Sequence, residues 1–164
     1  MKVFRKNKNA VKPTFTRHED AIFDVKACIE PSSRVGLINP LGKITYAPAK
    51  TIKGKTAVQV YPQQRMLIPT GLVFDVPDDC VLKLYSHPDV SNKKGLILSS
   101  GIELIRSGSS DEVYVMVVNI TDGVTVVETG ENIALGQLEK MLAYSITEIT
   151  ELPSDDVAED GQDT

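Results

Sequence analysis

Histidine and cysteine, two residue types often used for catalysis and metal binding, are scarce in this chain. It has two histidines, His18 and His87, and two cysteines, Cys28 and Cys80. There is no Ser-His-Asp arrangement, glycine-rich phosphate loop or zinc-ligand spacing, so we expect no histidine-based metal site or triad. The cysteines form no C-x-x-C pair and both fall in predicted strands, which is typical of buried free thiols in a reducing compartment.

Asp24 is the first carboxylate whose position could carry a function. It lies in a predicted strand in which Phe23, Val25 and Ala27 alternate between faces, and strands disfavour aspartate. Two interpretations are open: a strand-end carboxylate hydrogen-bonded to a turn, and a functional carboxylate held on a rigid strand.

The central part of the chain contains two predicted strands joined by a turn. Residues 72–76 alternate large apolar side chains with smaller or polar ones, as expected of a strand with one face in the core. Pro69 and Pro77 bracket this strand, because proline cannot donate to a ladder. An Asp-Asp turn at 78–79 then leads to a second strand at 81–85, so the sequence predicts a hairpin.

The strongest strand signal lies further along, at residues 113–120. This segment is rich in β-branched residues, which predicts a strand buried on both faces. Thr121-Asp122-Gly123 follows, and Asp-Gly tolerates the positive φ of a tight hairpin turn, with residues 124–127 as the returning strand.

Length and composition describe an ordinary globular protein. The chain has 164 residues, 24% of them charged, and a net charge of -4. This length fits one domain with a substantial core, and the charge does not favour nucleic-acid binding or disorder. No apolar run reaches membrane length and no signal-peptide core is visible, so we expect no membrane association and a cytoplasmic location.

The two ends of the chain carry opposite charge. Residues 1–17 contain six basic and no acidic residues, and residues 153–164 contain five carboxylates and no cation. We predict a basic arm, a central domain at 18–152 and an acidic tail, with the arm either solvated or bound to the tail or to a protein partner. Residues 31–58, rich in Gly, Pro, Ser and Lys, form a predicted surface insertion with a short hairpin strand at 44–46.

Several segments resemble the trimeric dUTPase family, in order and in spacing. The phrase LIPTGLVFDVPDDCVLKLY, residues 67–85, is similar to the family's Pro-Thr-Gly-Leu turn and proline-bounded hairpin. Residues 21–25 resemble the first motif, residues 93–96 the Lys-x-Gly-Ile that follows the second, and residues 135–137 the fourth. The resemblance spans residues 14–150. It implies an all-β, jelly-roll-like distorted β-barrel with little helix, and a homotrimer whose three-fold axis buries one sheet face of each subunit.

The resemblance also implies roles for three residues. Asp24 would help to hold the water shell of a Mg²⁺ ion bound to triphosphate, with no direct metal ligand from the chain. Glu103 is the carboxylate nearest to the family's water-orienting aspartate, although its extra methylene would displace its oxygens. Gln137 matches a glutamine that bonds a phosphate oxygen. The residues alone also allow Glu103 as an exposed strand carboxylate and Gln137 as a solvent-facing strand residue, because its spacing from Gly130 is longer than usual.

The family's second motif, Pro-Arg-Ser-Gly, is replaced by Ser-His-Pro-Asp at residues 86–89. His87 could substitute weakly for the arginine, but it cannot make the planar bidentate contact. Proline offers no hydroxyl, and Asp89 would repel a triphosphate. Ser91 with Lys93 is an alternative phosphate-binding pair, and a polar turn without a ligand is the other interpretation.

Two further features of active family members are missing. No tyrosine that could stack on deoxyribose follows Glu103, since residues 104–108 offer aliphatic, Arg and small side chains. The family's closing C-terminal arm carries Gly, Arg and Phe, whereas this chain ends in carboxylates that would oppose a bound triphosphate.

Two functions follow from this combination. The first is a dUTPase-fold trimer without catalysis, acting as a binding or structural module; by association with bacteriophage family members it could be a virion protein. The second is an active Mg²⁺-dependent hydrolase that converts dUTP to dUMP and pyrophosphate, with dUTP as ligand only in this case.

Overall fold

The computed structural model describes residues 1–15, 19, 21–39 and 41–151. Within these ranges the chain forms fourteen strands and one short helix. In chain order they are β1 Lys2–Arg5, β2 Ile22–Lys26, β3 Arg34–Ile38, β4 Ile44–Pro48, β5 Lys50–Ile52, β6 Lys55–Val60, β7 Arg65–Pro69, β8 Leu72–Asp75, β9 Cys80–Ser86, α1 Pro88–Lys94, β10 Leu96–Leu98, β11 Glu103–Arg106, β12 Tyr114–Asn119, β13 Thr125–Glu128 and β14 Asn132–Lys140. The all-β prediction is confirmed.

Every pair of hydrogen-bonded strands in these sheets is antiparallel. A five-stranded sheet has the order β10-β12-β7-β3-β4, and a four-stranded sheet has the order β11-β9-β14-β2. A three-stranded sheet, β13-β6-β5, and the pair β1-β8 complete the architecture. Because side chains alternate between faces along each strand, the two larger sheets each direct one set of residues to the core and one outward.

The inner faces of the sheets pack into one core. Met66, Ile68, Val115 and Val117 from the five-stranded sheet are fully or almost fully buried. Phe23 of β2 stacks on Phe74 of β8 with ring centroids 6.0 Å apart. The alternation that predicted a half-buried strand at residues 72–76 is therefore confirmed, since its large side chains lie in this core.

The outer face of the five-stranded sheet is also apolar. Leu67 lies opposite Gly36 on one side and Met116 on the other, and Gly36 lies opposite Tyr46. Residues at the next register step share this face, among them Ile38, Ile44, Ile97 and Val118. These side chains are half-buried or exposed, so within the described chain β12 is covered on its inner face alone. The predicted burial of β12 on both faces is not met within one chain.

Two predicted hairpins are wrong, although their strands exist and residues 78–79 form a turn. β8 pairs with β1, whereas β9 pairs with β14 and β11. Likewise β12 pairs with β7 and β10, whereas β13 pairs with β6. Local turn residues set the reversal of the chain, but the partner of each strand is decided by which sheet buries its apolar face.

The predicted basic arm and the predicted insertion also contain strands where they are described. Lys2–Arg5 pairs with β8. Residues 31–58 contain the β3–β4 hairpin, which confirms the short strand predicted at 44–46, and most of the β5–β6 hairpin, whose second strand ends at Val60. Cys28 and Cys80 are both buried, although Cys28 follows β2 instead of lying in it. Binding of the basic arm to a partner stays a prediction, and the acidic tail lies outside the described residues.

Among the described residues, no helix combines the length and the apolar character that crossing a membrane requires.

Close packing at Gly136 gives a test of this core. A Cβ placed on Gly136 would lie 2.5 Å from Cζ of Phe23, whose ring is held by Phe74. We expect Gly136→Ala to lower the free energy of unfolding by about 1–3 kcal/mol, because the buried ring has to move. Chemical denaturation measures this change. Gly123→Ala is the matched control, since a Cβ there meets nothing within 4 Å; equal loss in both variants would contradict the packing described.

Candidate functional site

The candidate site is a polar cluster around Asp24 on the outer face of the four-stranded sheet. Asp24 lies in β2 directly opposite Leu135 of β14, which lies opposite Tyr85 of β9, so these three residues share a face. The Asp24 side chain is 32% exposed. Its Oδ1 lies 3.1 Å from His87 Nε2, and its Oδ2 accepts a longer 3.4 Å hydrogen bond from Asn132 Nδ2.

His87 connects this cluster to helix α1. It is the N-cap residue, with an extended backbone at φ -80° and ψ 132°, and its Nδ1 accepts a 3.0 Å hydrogen bond from the backbone N–H of Asp89. A backbone N–H can only donate, so Nδ1 must carry a lone pair. Nε2 of the neutral ring therefore carries the proton and donates to Asp24. The residue is 7% exposed, and both ring nitrogens have partners.

Helix α1 forms where the sequence analysis allowed a polar turn. Pro88 occupies the first turn, where its missing N–H costs nothing, and Gly95 ends the helix in the left-handed conformation at φ 63°. Asp89 pairs with Lys93 one turn later at 3.2 Å. This pairing lowers the pKa of Asp89 from its usual range, with smaller contributions from His87 and Asn132. Lys94 pairs with Glu131, just before the start of β14.

The alternative phosphate pair, Ser91 and Lys93, lies on this helix. Ser91 Oγ is 3.5 Å from the carbonyl oxygen of Pro88, and Lys93 is bound to Asp89. Both side chains are thus directed along the helix to neighbours one turn away. A phosphate role for either residue stays a prediction.

Gln137 lies on the same sheet face as Asp24 but two residues further along β14. It pairs in register with Ile22 and Lys83, and its Oε1 is 3.3 Å from the Tyr85 hydroxyl. The residue of β14 opposite Asp24 is Leu135, not Gln137. A role for Gln137 as a phosphate ligand stays a prediction.

Glu103 lies on the other face of the same sheet. It pairs with Leu84, the neighbour of Tyr85 in β9, and adjacent strand residues face opposite ways. One of its oxygens, Oε2, is buried and has no hydrogen-bond partner within the described chain. Burial raises the pKa of this carboxyl. A single chain therefore does not bring Glu103 and Asp24 together.

Sequence reasoning missed the residues that complete the Asp24 cluster. Asn132 donates to Asp24 and accepts a hydrogen bond from Lys26 Nζ, so it joins β2 to β14 across the sheet. Two signals were available: Lys26 lies two residues from Asp24 on the same strand face, and Asn132 follows the Gly-Glu turn at the start of β14. Their meeting depends on a register shift between Asn132 and Ala134 that sequence spacing does not reveal.

The described residues do not fit a metal site of their own. They include no group of three or more His, Cys, Asp or Glu side chains placed to hold an ion. Around Asp24 the other donors are a histidine, an amide and a lysine, whereas Mg²⁺ prefers several oxygen ligands. Any Mg²⁺ at this surface would need the oxygens of a bound ligand.

Comparisons with known proteins agree with the fold. No family model matches the chain. It is 32% identical over 77 residues to the deoxyuridine 5'-triphosphate nucleotidohydrolase of Aquifex aeolicus, covering 47% of this chain and 51% of the relative. It is 26% identical over 96 residues to the corresponding protein of Cytophaga hutchinsonii, covering 58% and 62%. The matched regions thus span about half to three fifths of these relatives.

Solved structures match over more of the chain. The dUTPase of Streptococcus mutans covers 85% of this chain and 91% of its own, with a TM-score of 0.62 and 19% identity. A point mutant of the dUTPase from phage phi11 of S. aureus, described with a structural Mg(II) ion, covers 93% and 98%, with a TM-score of 0.70 and 16% identity. At these identities the likeness establishes the dUTPase fold. The sequence similarities are likewise to proteins named as dUTPases, over about half of this chain.

The buried oxygen of Glu103 gives a pH-dependent prediction. The carboxyl has an ordinary pKa of 4.5, which burial raises in the folded state. The folded protein therefore holds this proton more tightly than the unfolded chain, and stability falls as pH rises from 4.5 through the raised pKa. We expect Glu103→Gln to raise the melting temperature by about 2–4 °C at pH 7.5, since partial exposure limits the gain to about 1 kcal/mol.

Differential scanning calorimetry at about pH 4 and about pH 7.5 checks the sign. The gain of Glu103→Gln over the parent should shrink or vanish at the lower pH, where the parent carboxyl is protonated. Glu148→Gln, at an exposed position after β14, is the control and should change neither value. A gain that is equal at both pH values would exclude a buried charge as its cause.

Proposed function

We propose that this chain is a dUTPase-fold homotrimer that has lost catalysis and acts as a binding or structural module. The observation that carries the proposal is the engagement of Asp24. Its carboxylate, expected by resemblance to face the water shell of a nucleotide-bound Mg²⁺ ion, contacts His87 and Asn132 of its own chain. A carboxylate that already has internal partners must give them up before it can serve a ligand.

The neighbouring helix supports the same conclusion. At the place of the family's arginine and serine donors, His87 caps α1, and the helix begins with Pro88 and Asp89. The His87 nitrogens both have partners within the chain, and Asp89 adds a negative charge. This surface therefore offers a triphosphate fewer donors and more repulsion than an active site requires.

A control function for this fold has a precedent among the similar structures. The dUTPase of Staphylococcus bacteriophage 80alpha, with a TM-score of 0.69 and 18% identity, is described as one of the phage dUTPases that control transfer of virulence genes by a proto-oncogenic G protein-like mechanism. Because several of the similar structures come from phages, the proposal includes a virion or host-interaction role.

A pyrophosphate-release assay tests the loss of catalysis. With dUTP, dCTP or dTTP and Mg²⁺, we expect no turnover above buffer, because removal of one oxyanion-type donor alone costs about 10²–10³ in rate. An active dUTPase under the same conditions is the positive control. Robust dUTP turnover that Asp24→Ala abolishes would refute the proposal and favour the hydrolase.

The homotrimer is supported by the apolar outer face of the five-stranded sheet. Leu67, Met116 and Val118 lie on this face, next to the exposed Ile44 and Tyr46. In a monomer with one solvated sheet face, these outward positions would be mainly polar. Further copies of this chain are the partner that the family resemblance implies, and they would bury the second face of β12.

A charge at the centre of this face should weaken the assembly. We expect the parent to have three times the chain mass of 17.9 kDa in size-exclusion light scattering. Met116→Lys should weaken association at least about tenfold, because an unpaired buried charge costs more than about 1.4 kcal/mol. Val124→Lys, at an exposed position before β13, should keep the parent mass. A monomeric parent, or a trimer unaffected by Met116→Lys, would exclude this interface.

The alternative function is an active dUTP hydrolase with Mg²⁺ supplied on the nucleotide. Asp24 would then assist the ion through water, Gln137 would bind phosphate and Glu103 would orient the attacking water. Because Asp24 and Glu103 lie on opposite faces of one sheet, this mechanism needs Glu103 of a second copy to meet Asp24 of the first. The observation that favours it is the buried, unpartnered oxygen of Glu103, within the described part of the chain.

A further inference from the structure

His87 joins strand β2 to helix α1 through its two ring nitrogens, and this hydrogen-bond pattern depends on whether Nδ1 carries a proton. Its ring lies between Asp24 of β2 and the first turn of α1, with Nε2 3.1 Å from Asp24 Oδ1 and Nδ1 accepting from the Asp89 N–H at 3.0 Å. The cap requires a lone pair on Nδ1, so this arrangement exists only while the imidazole is neutral.

If Nδ1 were protonated, its N–H would face the backbone N–H of Asp89. Both groups can only donate, so the hydrogen bond that caps the helix would be lost. A second acceptor lies close to the new proton: Asp89 Oδ2 is 3.7 Å from Nδ1. The Asp89 carboxylate is bound to Lys93 through its other oxygen, Oδ1, at 3.2 Å, so Oδ2 is available to accept from the imidazolium.

The charges around His87 favour such an exchange. Asp24 faces it from β2, and Asp89 from α1, so two carboxylates flank the ring. The cations on the same elements have other partners: Lys93 binds Asp89, Lys26 binds Asn132 of β14, and Lys94 binds Glu131.

We propose that His87 is a pH-sensitive latch between β2 and α1, which caps the helix when neutral and, when protonated, breaks the cap and donates from Nδ1 to the Asp89 carboxylate. The latch changes the charge that α1 presents to solvent without requiring a ligand. It is independent of whether the chain hydrolyses dUTP. Histidine is suited to this task because its unperturbed titration falls between about pH 5 and 8.

Nitrogen NMR of the full chain tests the latch directly. The sample carries His18→Gln, so that His87 is the remaining imidazole. At about pH 8 we expect the Nε2–H tautomer, with Nδ1 as the unprotonated nitrogen. On titration to about pH 5, the Asp89 amide should shift with the same midpoint as the ring, and its hydrogen exchange, corrected for intrinsic pH dependence, should accelerate about fivefold, as for loss of a typical cap. An Nδ1–H tautomer at high pH, or an Asp89 amide that does not follow the ring, would overturn the proposal.

Two variants separate the latch from other titrations. Glu103→Gln removes a carboxyl elsewhere in the fold whose pKa burial raises, and it should leave the Asp89 transition in place. His87→Asn keeps a cap acceptor but cannot be protonated, so the Asp89 amide should stay protected and independent of pH over the same range. A transition that persists in His87→Asn, or vanishes in Glu103→Gln, would assign the change to another group. The tautomer and titration of the parent ring decide the proposal even if a variant fails to fold.

Discussion

The antiparallel ladder of β14 between β9 and β2 is the constraint on which the site depends. Successive residues of a strand face opposite sides of the sheet. The register that sets Leu135 opposite Asp24 and Tyr85 on the outer face therefore also places Gly136 on the core side. Phe23 fills the space that Gly136 leaves. A shift of one residue would bury Asp24 and expose Phe23. Core packing thereby fixes which polar groups meet on the outer surface.

On that surface, the polar groups around Asp24 are hydrogen-bonded to one another within the chain. His87 serves both as helix cap and as partner of Asp24, and Asn132 connects Asp24 to Lys26. The contacts of His87 satisfy two ring nitrogens of a buried residue that would otherwise lack partners. The same contacts explain why the cluster can be stable without a ligand and why one proton on His87 can rearrange it.

Each of the two larger sheets has a group of atoms that a single chain leaves without a partner or a cover. The five-stranded sheet exposes an apolar outer face around Leu67 and Met116, and the four-stranded sheet buries a carboxylate oxygen of Glu103 that has no partner among the described residues. Association with further copies of this chain can cover the apolar outer face and so remove its surface from water. Glu103 and Leu67 line the same groove of about 450 Å³, so covering the face would also change the surroundings of the carboxylate.

The sequence by itself determined the local features: the strands around Asp24 and Leu72, the Asp78-Asp79 turn and the resemblance of residues 67–85 to a known family. These depend on alternation, proline and turn chemistry, all of which act over a few residues. Only the tertiary structure decided that β8 pairs with β1, that Glu103 faces away from Asp24, and that Asn132 joins the cluster. Strand partners and register arise from contacts between residues far apart in the chain, and patterns over a few residues do not reveal these contacts.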